Sequence, residues 1–94
     1  MLTTKQTVKL RSMAMNLKDI FQVGKEGLSH NIIKGIRDAI EAHELVKISV
    51  LKTVETPIKE IALDIASQTN SQLVQIIGRN IVLYRASKKR IIKF

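Results

Sequence analysis

The chain has no cysteine, no tryptophan, one proline and only three aromatic residues in 94. Without cysteine there is no disulfide framework, no thiolate nucleophile and no thiolate metal site. Phe21, Tyr84 and Phe94 are few platforms for stacking unpaired bases, and Phe21 and Tyr84 read as core or strand-face residues. If the partner is a nucleic acid, that scarcity favours phosphate and shape contacts over aromatic-rich single-strand recognition. Long apolar runs are missing as well. Nothing approaches the roughly 20 residues needed to cross a bilayer, and the start, Met1-Leu2-Thr3-Thr4-Lys5, has no apolar block of the signal-peptide kind. A cytoplasmic location is the expectation.

Catalytic constellations are scarce too. His30 and His43 are the only histidines. Thirteen residues apart on one helix they point about 140° from each other, so no shared metal is expected. Glu41 and Glu44 lie among lysines near a helix end and read as solvated charge rather than an acid/base pair. Gly24-Lys25-Glu26-Gly27 lacks the gap and the Gly-Lys-Ser/Thr ending of a Walker loop. The expectation is a protein that is not an enzyme and uses neither cofactor nor metal.

What the chain does have is positive charge, +8 in formal terms and unevenly placed. Residues 78–94 carry Arg79, Arg85, Lys88, Lys89, Arg90 and Lys93 with no acid, and residues 1–23 carry Lys5, Lys9, Arg11 and Lys18 against Asp19. The middle is balanced, and residues 48–77 are slightly acidic. Cations gathered at both ends suit a polyanion, whereas a merely solvated surface interleaves its signs. Ninety-four residues bury roughly 60–65% of the surface of the unfolded chain, enough for one self-sufficient domain over 1–94.

Periodicity orders the elements. Leu10, Met13, Ala14 and Leu17 share one helical face, which predicts a first helix from Thr4 to about Leu17. That helix either packs on a sheet or lies on a membrane, and its narrow apolar side favours the sheet. Ile20 to Val23 reads as a short strand. A helix starting near His30 carries Ile32, Ile36, Ala39, Ile40 and His43 as its core stripe, with Lys34/Asp38 and Arg37/Glu41 as pairs on the wet side. Gly35 inside it implies either close packing or simple tolerance. Period two then puts Val46, Ile48 and Val50 on one side of a strand and Leu45, Lys47 and Leu51 on the other. Thr56 as N-cap and Pro57 in the first turn open a third helix with Ile58, Ile61, Ala62, Ile65 and Ala66 inward and Asn70 as its stop. Gln72–Ile77 and Ile81–Arg85 flank Gly78-Arg79-Asn80 as a hairpin. The result is an α/β domain in the order α-β-α-β-α-β-β, with a mixed four-stranded sheet packed with helices, and a basic tail over about 86–94 that is ordered only in part.

The stretch Val23-Gly24-Lys25-Glu26-Gly27-Leu28-Ser29 sits between the first strand and the second helix. Two glycines three apart, a lysine between them and Ser29 as N-cap describe either a backbone-binding loop for phosphate or a strand-to-helix turn that needs glycine torsions. This stretch, His43-Glu44-Leu45-Val46-Lys47-Ile48, and Ile77-Gly78-Arg79-Asn80-Ile81-Val82-Leu83-Tyr84-Arg85, in that order, resemble the CRM domain. This is the RNA-binding module of chloroplast splicing factors and of bacterial YhbY-like ribosome-maturation proteins. The resemblance covers nearly the whole chain. It implies a fold like the C-terminal domain of translation initiation factor three and, for a stand-alone bacterial member, association with ribosomal RNA in precursors of the large subunit. It implies RNA contacts at the GxxG loop, Gly24, Lys25, Glu26 and Gly27, with Ser29 at its exit. Lys47, Arg79, Arg85, Lys88, Lys89 and Arg90 extend the candidate surface; Arg85 alternatively closes the sheet end. The expected partner is RNA, bound by a monomer without a membrane. The rival readings are a module that docks on ribosomal proteins and a peripheral membrane binder.

Overall fold

In the computed structural model, which describes residues 2–25 and 27–94, the first helix begins where Thr3 and Gln6 cap each other. The Thr3 hydroxyl accepts the Gln6 amide at 3.1 Å and the Gln6 side chain accepts the Thr3 amide at 3.0 Å, a reciprocal cap that starts α1 (Thr4–Ala14). Leu10 and Ala14 are its buried residues. The helix stops at Ala14, short of the expected Leu17, because the amides of Met15, Asn16 and Leu17 turn back to carbonyls three residues earlier and tighten the last turn. Met13 is consequently 37% exposed rather than part of the core.

Strand β1 (Phe21–Val23) follows, then α2 (His30–His43), β2 (Leu45–Val50), α3 (Ile58–Thr69), β3 (Gln72–Ile77) and β4 (Asn80–Tyr84), the order that periodicity predicts. The sheet runs β1-β2-β4-β3, with β1 parallel to β2 and the other two pairings antiparallel. Gly78, at φ 57, occupies the first central position of the β3–β4 turn, the torsion a type II′ hairpin asks of that residue. Central β4 is buried on both faces: Ile81 and Leu83 join one core cluster, Val82 and Tyr84 the other. Helices α2 and α3 cover the first face with Val46, Ile48 and Val50 beneath them; α1 covers the second over Leu45 and Val74. Each fully buried isoleucine, such as Ile36, Ile48 or Ile81, contributes about 2 kcal/mol of apolar transfer free energy.

Several local expectations change. In α2 the buried stripe is Ile33, Ile36 and Ile40, while Ile32 and Ala39 flank it and His43 is exposed. The stripe is one residue off because the helix faces both the sheet and α3, and Ile33 lies between them. The wet-side pairs Lys34/Asp38 and Arg37/Glu41 do not close. Arg37 donates to the Gln68 carbonyl at 2.9 Å, and Glu41 faces Arg85 at 3.5 Å. Gly35 is there for close packing, since a Cβ on it would lie 2.8 Å from the Phe21 ring. Pro57 rather than Thr56 is the N-cap of α3, with no side-chain cap, and its carbonyl accepts the amides of Glu60 and Ile61. Asn70 ends the helix in the left-handed conformation at φ 54.

Candidate nucleic-acid interface

The glycine loop leaves the edge strand at Val23, whose carbonyl accepts the Leu51 amide at 2.9 Å. The Gly27 amide returns to the Gly24 carbonyl at 2.9 Å, which closes a tight turn around Lys25. Gly27 stands at φ 76 with open space where a Cβ would point, so its backbone requires glycine while its surroundings leave room for a ligand. Lys25 is exposed. Glu26, named with the loop from the sequence, lies outside the described residues. Ser29 then caps α2 by accepting the Ile32 amide at 3.2 Å. One lone pair of its oxygen is thereby engaged, and its hydroxyl hydrogen remains to donate to an outside group.

Arg79 belongs to this end of the sheet. Its guanidinium donates to the carbonyls of Val50 at 3.1 Å and Leu51 at 2.5 Å, while its own carbonyl accepts the Val50 amide. The hairpin turn, the end of β2 and the start of the glycine loop are thus tied into one rim. The next residue, Lys52, is exposed on the turn after β2. The charge distribution hid it, because it lies in the slightly acidic segment, and only the adjacency of strand ends reveals it. Gly27 also lines a cleft of about 370 Å³ whose walls include Glu60 and Asp64. The two carboxylates repel a polyanion from that cleft.

The remaining candidates lie elsewhere. Lys47 is half-buried in the middle of β2, beside Lys18 and His43. Arg85, Lys88, Lys89 and Arg90 are at the opposite end of the sheet, about 17 Å along β2 from the loop. There the tail is a strap pinned by one residue. Glu44, expected to be solvated, is fully buried at φ 66, just after α2. Its carboxylate accepts the Ser87 amide at 2.5 Å and the Ile92 amide at 2.6 Å, and its carbonyl accepts the Arg85 amide at 3.1 Å. The tail is held at both ends of the Lys88-Lys89-Arg90 run, which stays exposed. Burial pushes the Glu44 carboxyl up, but the hydrogen bonds from Ile92, Ser87 and Ile91 outweigh it and hold the group below the usual carboxylate range. Burial, then the Glu44 charge, push the Tyr84 phenol up, with Arg90 opposing. Arg85 pairs with Glu41 at 3.5 Å at this end of the sheet.

The structure therefore gathers Gly24, Lys25, Gly27, Ser29 and Arg79 at one end and Arg85, Lys88, Lys89 and Arg90 at the far end, with Lys47 between them. Nothing in the charge pattern of Glu44 announced its role, because its two partners lie 43 and 48 residues away in sequence.

Comparison with known proteins gives a consistent picture. The family model for the CRS1 / YhbY (CRM) domain matches residues 2–85. The "Probable RNA-binding protein YqeI" of Bacillus subtilis is 51% identical over 89 residues, covering 95% of this chain and 93% of its own. An "RNA-binding protein" of Haemophilus influenzae is 33% identical, covering 94% and 89%. The solution structure of a hypothetical protein from Staphylococcus aureus superposes with a TM-score of 0.80 at 49% identity, over 94% of this chain and 92% of that one.

Proposed function

The chain belongs to the CRS1 / YhbY (CRM) domain family, and from that premise we propose that it binds structured RNA, most specifically ribosomal RNA in precursors of the large subunit during assembly. The observation that carries the reading is the rim formed by the Gly24–Ser29 loop, Arg79 and Lys52. A glycine turn with open space leads into a capped helix N-terminus, with Lys25 exposed on the turn and Arg79 and Lys52 at the adjoining strand ends. Amides at a helix start and lysines on short turns are the groups that hold phosphate without reading sequence. The names of the relatives support RNA as the partner; the ribosomal part rests on the resemblance to stand-alone bacterial members. No chemical step belongs to the proposal. The protein acts as a monomer that masks or holds RNA through its backbone.

Two measurements test the two levels of the reading. Filter binding of a ribosomal RNA hairpin should show an affinity that falls steeply with salt, with a log–log slope of roughly −0.7 to −0.9 per phosphate engaged. A flat salt response overturns phosphate binding. Crosslinking in cells followed by sequencing should enrich large-subunit precursors; crosslinks spread over messenger RNA would remove the ribosomal part and leave RNA binding standing. Pull-downs that keep their protein partners after ribonuclease treatment would favour the protein-docking reading instead.

A further inference from the structure

The strap end of the sheet encloses a groove of about 610 Å³, a size that suits a small ligand or one unit of a polymer. It is walled by the first turn of α1, the start of β3, the end of β4 and the strap. Three kinds of side chain meet in it. Arg90 and Lys93 supply cations. Gln6 and Gln72 supply amides whose oxygens already accept the Thr3 and Leu2 backbone amides, which leaves their NH2 groups as donors. Phe94 supplies an aromatic ring that is 53% exposed.

Among the described residues no side-chain carboxylate lines the groove. The two acids nearby in the fold are engaged, Glu44 by the strap amides and Glu41 by Arg85. Arg85 Nε is buried with no hydrogen-bond partner. Phe94 also borders a second groove, of about 600 Å³, whose wall carries Lys5 and Lys9 of α1. The ring thus stands between two basic grooves, met edge-on by Tyr84 at 5.8 Å between centroids, with the Lys9 ammonium 5.8 Å from its centre. Lys9 also donates to the Lys93 carbonyl at 2.6 Å, so Tyr84 and Lys9 hold the ring in place while about half of its surface stays in water beside the cations of the two grooves. It is the arrangement that stacking platforms use for unpaired bases.

We propose that these paired grooves bind a short unpaired RNA segment, with a base stacked on Phe94 and the flanking phosphates on Arg90, Lys93 and Lys5. The inference rests on the RNA reading above and adds a second, chemically different site to it. The loop end holds phosphates of structured RNA, and the strap end holds unpaired chain. Arg90, Lys93 and Phe94 all lie beyond residue 85, where the family match stops. The free amide donors of Gln6 and Gln72 favour bases that present carbonyl oxygens, such as uracil.

The test compares a fluorescein-labelled uridine decamer with an RNA duplex of the same length, by anisotropy at one salt concentration. Phe94→Ala should weaken decamer binding about 5- to 100-fold, the range lost with one stacking platform. Phe94→Leu, which keeps apolar bulk, should lose as much, and Phe94→Trp should restore it. Duplex affinity should stay within about twofold in all three variants. Parental decamer binding by Phe94→Ala or Phe94→Leu overturns the stacking site, as does an equal loss on the duplex or equal displacement of the decamer by polyglutamate. If the parent binds duplex but not the decamer, this inference falls alone; if it binds neither, the RNA reading falls with it.

Discussion

At the loop end of the sheet, Lys25 stands on a short turn set by neighbours in sequence, the Gly27 to Gly24 bond and the Ser29 cap, and Lys52 on one closed by the Val54 amide to the Leu51 carbonyl. At the strap end, Lys88, Lys89 and Arg90 are presented by a carboxylate from the far side of the chain, Glu44, buried beneath them. The same kind of residue is therefore supported in two ways. Charges on local turns are expendable for folding, so binding and stability separate there. Charges on a strap held by a buried anion are presented only while that anion keeps its partners, so the two properties are coupled.

The largest expected effect tests that coupling. Glu44→Gln removes the charge and places an amide NH2 where one strap amide needs an acceptor. Two charge-assisted bonds are weakened in a dry site, and the loss should be about 2–3 kcal/mol in urea unfolding at neutral pH. The pH dependence has a definite sign. The folded carboxyl lies below the usual range, so the unfolded chain takes up the proton first as pH falls. This contribution is fully present above about pH 5 and is lost as pH drops through the folded pKa. Parent and variant should therefore differ by less at pH 3 than at pH 7. A variant as stable as the parent at pH 7 would mean that the carboxylate does not hold the strap.

Arg79→Ala comes next, because among the described residues Arg79, unlike Lys25 and Lys52, has long-range ties. Losing its bonds to the Val50 and Leu51 carbonyls should cost about 1 kcal/mol at this half-exposed position, seen as a thermal shift of several degrees. If Arg79→Ala melts like the parent yet binds RNA less well, its guanidinium serves RNA and the rim is not held by it. Smaller again, Lys88, Lys89 and Arg90 changed together to Ala should flatten the salt slope of RNA binding by about one to three units. Combined with Glu44→Gln, the triple change should add little more, since the strap is already released. An unchanged slope in the triple variant would assign these cations to solubility.

What could be read from the sequence follows the same division. The order of elements, the hairpin at Gly78, the Asn70 stop and the faces of β2 come from periodicities of two and 3.6 and from turn chemistry, all of which are local. The glycine loop was legible for the same reason. Ile33 was missed because a stripe shared between a sheet and a second helix is wider than one face suggests. Glu44 was misread because a buried carboxylate is recognised by its partners, and residues 87 and 92 are far away in sequence. Lys52 was passed over because net charge by segment does not record which strand ends meet.

The smallest predicted effect is at Lys25, and it decides whether the loop is an interface or a turn. An exposed lysine on a turn contributes little to folding, so Lys25→Ala should leave the melting temperature unchanged. If its ammonium faces a phosphate, the salt slope should fall by about 0.7 to 0.9, the release of one counterion, with a modest loss of affinity for structured RNA at low salt. Gly27→Asp is the sterner companion. It places a negative charge before the capped start of α2, where phosphate is expected, and strains a residue at φ 76, so its melt must be measured beside its affinity. Should both variants fold like the parent and bind with parental affinity and slope, the loop is only a turn. The structured-RNA surface would then have to be carried by Arg79 and the strap. Should Gly27→Asp unfold, Lys25→Ala still decides, because its exposed side chain makes no hydrogen bond or ion pair among the described residues. Lys25→Ala combined with Lys52→Ala should then roughly double the slope change if both cations flank one phosphate path, and leave it at the single-variant value if only Lys25 does.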